Sequence, residues 1–108
     1  MRIYEPPGTT SVDTIRRYGE LAERGGAPEA AAQAWTDAEF DDETTARWLE
    51  ARCFDAEAAL ALAELGVTPG QASARTRDGG GYLDTIAFKV ASGDLTARQG
   101  AARCMSSR

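Results

Sequence analysis

LAELGVTPGQAS, Leu62 to Ser73, holds the end of one helix and the start of the next. Gly66 suits the left-handed residue that closes a helix C-terminus. Thr68 and Gln71 make a T-x-x-Q capping box, in which each side chain satisfies a backbone N–H of the other residue, and Pro69 occupies the first helical position, where its missing donor costs nothing. The pattern returns at an offset of 28: in Val67 to Arg75 (VTPGQASAR) and Leu95 to Arg103 (LTARQGAAR), the Thr, Gln, Ala and Arg coincide. Thr96 and Gln99 therefore predict a second capping box.

Working outward in steps of 13 or 14 residues, the helix-opening signals fall at Asp13, Ala27, Asp41, Asp55, Thr68, Tyr82 and Thr96, most of them with an acid or proline nearby. Glycines punctuate the intervals at Gly25 and Gly26, Gly66, Gly79 to Gly81 and Gly93. Apolar residues inside the intervals keep helical spacing, as in Leu83, Ile86, Ala87 and Val90, and strand-like alternation is absent. These signals predict an all-α domain of six or seven short helices in beats of about 14 residues, built as a compact orthogonal bundle or a short stack of helical hairpins. The organisation expected is an extended arm over 1–10, where Pro6 and Pro7 favour a polyproline path, one helical domain over 11–104, and a tail over 105–108. Helices this short are marginal alone, so packing between neighbours must hold them. The 21 alanines allow that close approach.

AAAQAWTDAEF, TTARWLEARCF and ALALAELGV resemble degenerate copies of a short A-x-x-x-W-x-x-x-G-F helical repeat of uncharacterised actinobacterial and phage proteins. The likeness spans Ala27 to Val67, with Trp at positions 35 and 48 and the glycine kept only as Gly66. It implies an all-helical scaffold and no defined activity.

Composition narrows the chemistry. The chain has 108 residues, no His, one lysine (Lys89) against 11 arginines, and a net charge of −5. No general base near neutral pH and no metal cluster can be assembled from such residues, so neither catalysis nor a cofactor is expected. Cys53 and Cys104 are expected as reduced thiols packed like small hydrophobes. With neither a secretory signal nor an apolar run approaching roughly 18 residues, the expected location is cytoplasmic, away from membranes. Gly79 to Gly81 predict a flexible hinge, since the triplet lacks the Lys and Ser/Thr of a phosphate loop.

Charge divides the chain. Glu29 to Glu64 carries ten acids against Arg47 and Arg52, whereas the segment from Leu65 onward has a net charge of +3. Acids at helix starts serve capping and dipole roles; the functional alternative is an acidic face at Glu39, Asp41, Asp42 and Glu43 that steers a basic protein partner. Trp35 and Trp48, with Phe40, recur at the beat spacing either as core or as aromatic anchors of that face. The expected function is a non-catalytic protein-binding module, an adaptor, inhibitor or assembly factor, with self-association left open. The competing expectation is a helix-turn-helix-like DNA regulator whose helix over 68–77 offers Gln71, Ser73, Arg75 and Arg77 to phosphates and base edges. Against it, Leu62 stands four before Gly66, where two such helices would need a small residue.

Overall fold

The computed structural model of the chain describes residues 9–23 and 27–106. Its helices are α1 (Val12–Arg16), α2 (Glu20–Glu23), α3 (Pro28–Asp37), α4 (Asp42–Glu50), α5 (Ala56–Glu64), α6 (Pro69–Ala72), α7 (Ile86–Ala91) and α8 (Ala97–Ser106). Between α6 and α7, β1 (Arg75–Thr76) and β2 (Asp84–Thr85) pair antiparallel, with Arg75 opposite Thr85 and Thr76 opposite Asp84. The protein is thus mostly helical, and the described residues hold eight helices where six or seven were expected, with one minimal two-stranded ladder.

Side-chain caps open the helices where short polar residues stand. Ser11, Asp41, Asp55, Thr68 and Thr85 each accept from a backbone N–H of the first turn. Both capping boxes close: the N–H groups of Thr68 and Thr96 donate to Gln71 Oε1 and Gln99 Oε1, each at 2.9 Å. The first helix opens on its cap Ser11, the first residue of the expected helical domain, with Asp13 inside α1. One expected start moves: no helix begins at Tyr82, because Gly79, Gly80 and Gly81 hold φ of 79°, 101° and 83° and defer the start to Ile86. The arm expected over 1–10 lies outside the described residues except for Thr9 and Thr10, as do Gly25 and Gly26. The expected tail is shortened, since α8 runs through Met105 to Ser106.

Three successive helices end alike. The N–H groups of Phe40, Cys53 and Val67 donate to the carbonyls of Trp35, Trp48 and Leu62 at 3.1, 2.9 and 3.0 Å. Each closure passes through a left-handed residue, Glu39 (φ 66°), Arg52 (φ 67°) and Gly66 (φ 86°) respectively. This is the Schellman closure, in which the residue after the left-handed one folds back as an apolar lid. It turns the chain sharply enough to bury both ends of the bond: Trp35 and Trp48 are each 1% exposed, and Trp35 and Phe40 meet at 5.5 Å between ring centroids. Around them pack Ile15, Leu49, Ala59, Leu62 and Ile86, with α5 against α3 as well as against α7 and α8.

Polar groups inside are matched. Thr10 Oγ1 donates to the Phe40 carbonyl at 2.8 Å and lies 2.8 Å from Thr45 Oγ1, fastening the chain before α1 onto the α3–α4 junction. Lys89 is fully buried, a rare state for lysine unless its donors are used. Its Nζ donates to the carbonyl of Asp78 at 2.8 Å and to that of Tyr82, and lies 3.9 Å from the centroid of the Tyr82 ring. The residues flanking the glycine triplet are therefore clamped. The expected hinge is a packed turn, and a Cβ on Gly79 would stand 2.9 Å from Leu95 Cγ and 3.0 Å from the Asp94 carbonyl oxygen.

Two substitutions test this packing. Gly100→Ala should gain about 1 kcal/mol in helix propensity, yet its Cβ would lie 2.6 Å from Val90 Cγ2 and 3.2 Å from Ile86 Cγ2. Overpacking costs roughly 1–3 kcal/mol, so urea unfolding should show a net loss of about 1 kcal/mol; a gain would mean that α7 and α8 are not in close contact. Lys89→Met keeps the length but leaves two carbonyls without their donor, and should cost about 2 kcal/mol in the same assay. An unchanged midpoint would refute the clamp.

Candidate functional site

The turn from α3 into α4 gathers four carboxylates. Glu39 follows the C-cap of α3, and its side chain makes no hydrogen bond or ion pair to the described residues. Asp41 is exposed and accepts from the Thr44 N–H at 2.8 Å. That backbone hydrogen bond, with help from the Thr44 hydroxyl, holds its carboxyl below the usual range. Glu43 accepts from Arg47 at 3.0 Å in a solvent-exposed pair one helical turn long, which contributes little to stability.

Asp42 has a different duty. Its Oδ1 accepts from the Ser11 N–H at 2.7 Å, the Ser11 hydroxyl at 3.0 Å and the Thr14 hydroxyl at 2.7 Å, so it pins α1 to α4. Partial burial pushes this carboxyl up, and the three hydrogen bonds with the Arg17 charge outweigh that push, leaving it below the ordinary carboxylate range. Of the expected partner-binding residues, then, Glu39, Asp41 and Glu43 are at the surface and Asp42 is mainly structural. Trp35, Phe40 and Trp48 cannot serve as anchors there. They are core because the helix closures fold them inward, with Phe40 only 8% exposed.

Two depressions adjoin these helices. Between α3 and α5, an apolar groove of about 190 Å³ is lined by Ala30 and Ala34 on one bank and Phe54, Asp55 and Ala56 on the other, over Trp35. Between α4 and α6, a shallower cleft of about 500 Å³ has polar walls that include Arg47, Glu50 and Thr68.

The residues expected to read DNA are not on one helix. α6 is a single turn, Pro69–Ala72, and the chain then enters β1, so Arg75 lies in a strand and Arg77 in the loop after it. Gln71 is used by the capping box, and the Ser73 hydroxyl donates to the Gly70 carbonyl at 2.7 Å. The expected helix over 68–77 fails because the ladder and the glycine turn compete for its second half.

Burial keeps the thiols protonated: Cys53 is pushed up to about 12 and Cys104 is raised, and the two are not joined. Among the described residues no three His, Cys, Asp or Glu side chains come together as metal ligands, and no helix is long and apolar enough to cross a membrane. Lys89 and Arg52 take structural roles that the capping and charge patterns do not assign. Arg52 forks onto Asp84, Nε to Oδ1 at 2.8 Å and Nη2 to Oδ2 at 3.0 Å, with its guanidinium 4.9 Å from the Phe88 centroid. The signal available for Lys89 was its being the sole lysine, three residues after Ile86 on an apolar face. Comparison with protein-family models, curated proteins and solved structures finds no match.

The Asp42 cluster gives a pH dependence. Its folded pKa lies below the unfolded value near 3.9, so the stabilisation is complete above that value and is lost as pH falls through the folded pKa. Asp42→Asn should therefore be about 1 kcal/mol less stable at neutral pH, with the gap to the parent closing as pH falls below the unfolded value in urea titrations. A gap independent of pH would show that the charge on Asp42 is not what the Ser11 and Thr14 donors stabilise.

Proposed function

We propose that this chain is a non-catalytic protein-binding module, an adaptor, inhibitor or assembly factor, that captures a basic partner on the face formed by Glu39, Asp41 and Glu43. The observation that supports it is the backbone of Glu39. At the equivalent point of α5 the chain uses Gly66, whereas α3 places a glutamate in the left-handed region at a cost of roughly 1 kcal/mol. Arg52, in the same situation after α4, uses its side chain on Asp84, Phe54 and Phe88. Glu39 makes no such contact among the described residues, which leaves its charge available to a partner. Its two neighbours are equally well held, because Asp41 caps α4 and Glu43 lies in the first helical turn. A rigid acidic display accelerates encounter with a positive surface and excludes negative ones.

The closures at Phe40 and Cys53 are 13 residues apart and those at Cys53 and Val67 are 14 apart, which supports reading α3, α4 and α5 as successive copies of one helical unit. Two buried thiols suit a reducing compartment, and the cytoplasm is the location assumed.

Fluorescently labelled decalysine is a suitable probe of the face. Replacing Glu39 and Glu43 together by Gln should weaken its binding about fivefold at low salt, while Asp13→Asn combined with Glu64→Gln, both exposed elsewhere, should leave it nearly unchanged. Equal losses would mean that only net charge matters, and the proposed face would be wrong. Glu39→Gly should separate the two roles, raising the melting temperature by relieving the backbone while still weakening the probe.

A further inference from the structure

We propose that the groove between α3 and α5 receives an amphipathic helix of the partner protein whose flanks are basic. The inference rests on the protein-binding function proposed above and supplies the apolar anchorage that Trp35, Phe40 and Trp48, being buried, do not.

Its size comes first. At about 190 Å³ the groove falls below the roughly 300 Å³ at which pockets for free small molecules begin, and it suits one or two apolar side chains projecting from a larger ligand. Ala30 and Ala34 are both exposed and one helical turn apart, so they form a continuous low bank over which another backbone can come close. Phe54 and Ala56 form the opposite bank, and Trp35 the floor. A slot with small-residue edges and the partly exposed Phe54 ring in its wall accepts the leucine-type ridge of a helix, as helix-in-groove recognition does.

Charge decides the rest of the ligand. Among the described residues no lysine or arginine lines the groove, and Asp55 stands in its wall. Exposed Glu29, in the first turn of α3, and exposed Glu57, in the first turn of α5, continue the negative border. Arg16 reaches Glu29 only at 3.7 Å in a solvent-exposed pair, which offsets little of it. A second acidic helix would be repelled. A helix with apolar residues on one face and arginines or lysines beside them is complementary on both counts.

The test uses the full chain and two synthetic peptides. One carries leucines at i, i+3, i+4 and i+7 with flanking arginines; the other has the same composition scrambled, so that charge is kept and the apolar face lost. The amphipathic peptide should bind about tenfold more tightly, shifting the amide resonances of Ala30, Ala34 and Ala56 and the indole N–H of Trp35. Ala30→Gln and Ala34→Gln fill the groove with neutral side chains that α-helices tolerate; circular dichroism should show both folded. Each should erase the tenfold preference and leave decalysine binding intact. Equal binding of the two peptides, or Gln variants that bind the amphipathic peptide like the parent, would overturn the groove while leaving the Glu39 and Glu43 results to stand for the acidic face. Amphipathic binding that persists although Glu39 and Glu43 prove irrelevant to decalysine would support the groove and remove the face. Shifts at the same resonances that grow with protein concentration without peptide would assign the groove to a second copy of the chain and overturn the basic helix.

Discussion

The backbone hydrogen bond that closes α3, α4 and α5 governs the architecture. When Phe40, Cys53 and Val67 each donate to a carbonyl five residues back, the chain reverses within one left-handed residue and turns its last apolar side chain inward. That geometry makes Trp35 and Trp48 central to the core, although tryptophan is rarely fully buried. It also keeps the helices short without leaving their final carbonyls unsatisfied, since the closure uses them.

The C-terminal half is held by charge-assisted contacts to backbone and aromatic groups. Arg52 leaves the end of α4 and forks onto Asp84, while the Thr85 hydroxyl donates to the Ala51 carbonyl at 2.7 Å, so the start of α7 is fixed to the end of α4. Lys89 then secures the glycine turn from within, and the Asp78–Arg103 pair at 2.6 Å ties the same turn to α8. Lys89 and Arg103, two basic groups of the segment after Leu65, are thus engaged internally. The loss of a continuous helix over 68–77 removes the geometry on which the DNA-reading expectation depended.

Surface acids divide in the same way. Asp42 is spent on Ser11 and Thr14, Asp84 on Arg52 and Asp78 on Arg103, whereas Glu39 is left at the surface in a backbone conformation better suited to glycine. Binding assigned to that face would draw on residues whose backbone is already fixed, with little ordering cost on association. The groove between α3 and α5 lies on elements that the same closures hold in place.

The sequence by itself determined most helix starts and the closure at Gly66, because caps and glycine turns are local. Thr68 with Gln71, Thr96 with Gln99, Asp41 and Asp55 act within three residues of where they stand, and the recurrence of Trp35, Trp48 and Leu62 records the same closing bond. Only the tertiary structure decided which aromatic residues face inward, which carboxylates remain available and what the glycine triplet does. Phe40 is buried against Trp35, Asp42 is consumed by residues about 30 positions earlier, and Lys89 reaches back to Asp78 and Tyr82. The start of α7 shows the two levels in conflict: apolar spacing favoured a helix from Tyr82, but three left-handed glycines and pairing with Arg75 and Thr76 set it at Ile86. Contacts between residues distant in sequence leave no periodic trace, since each depends on where the folded chain brings its two ends together.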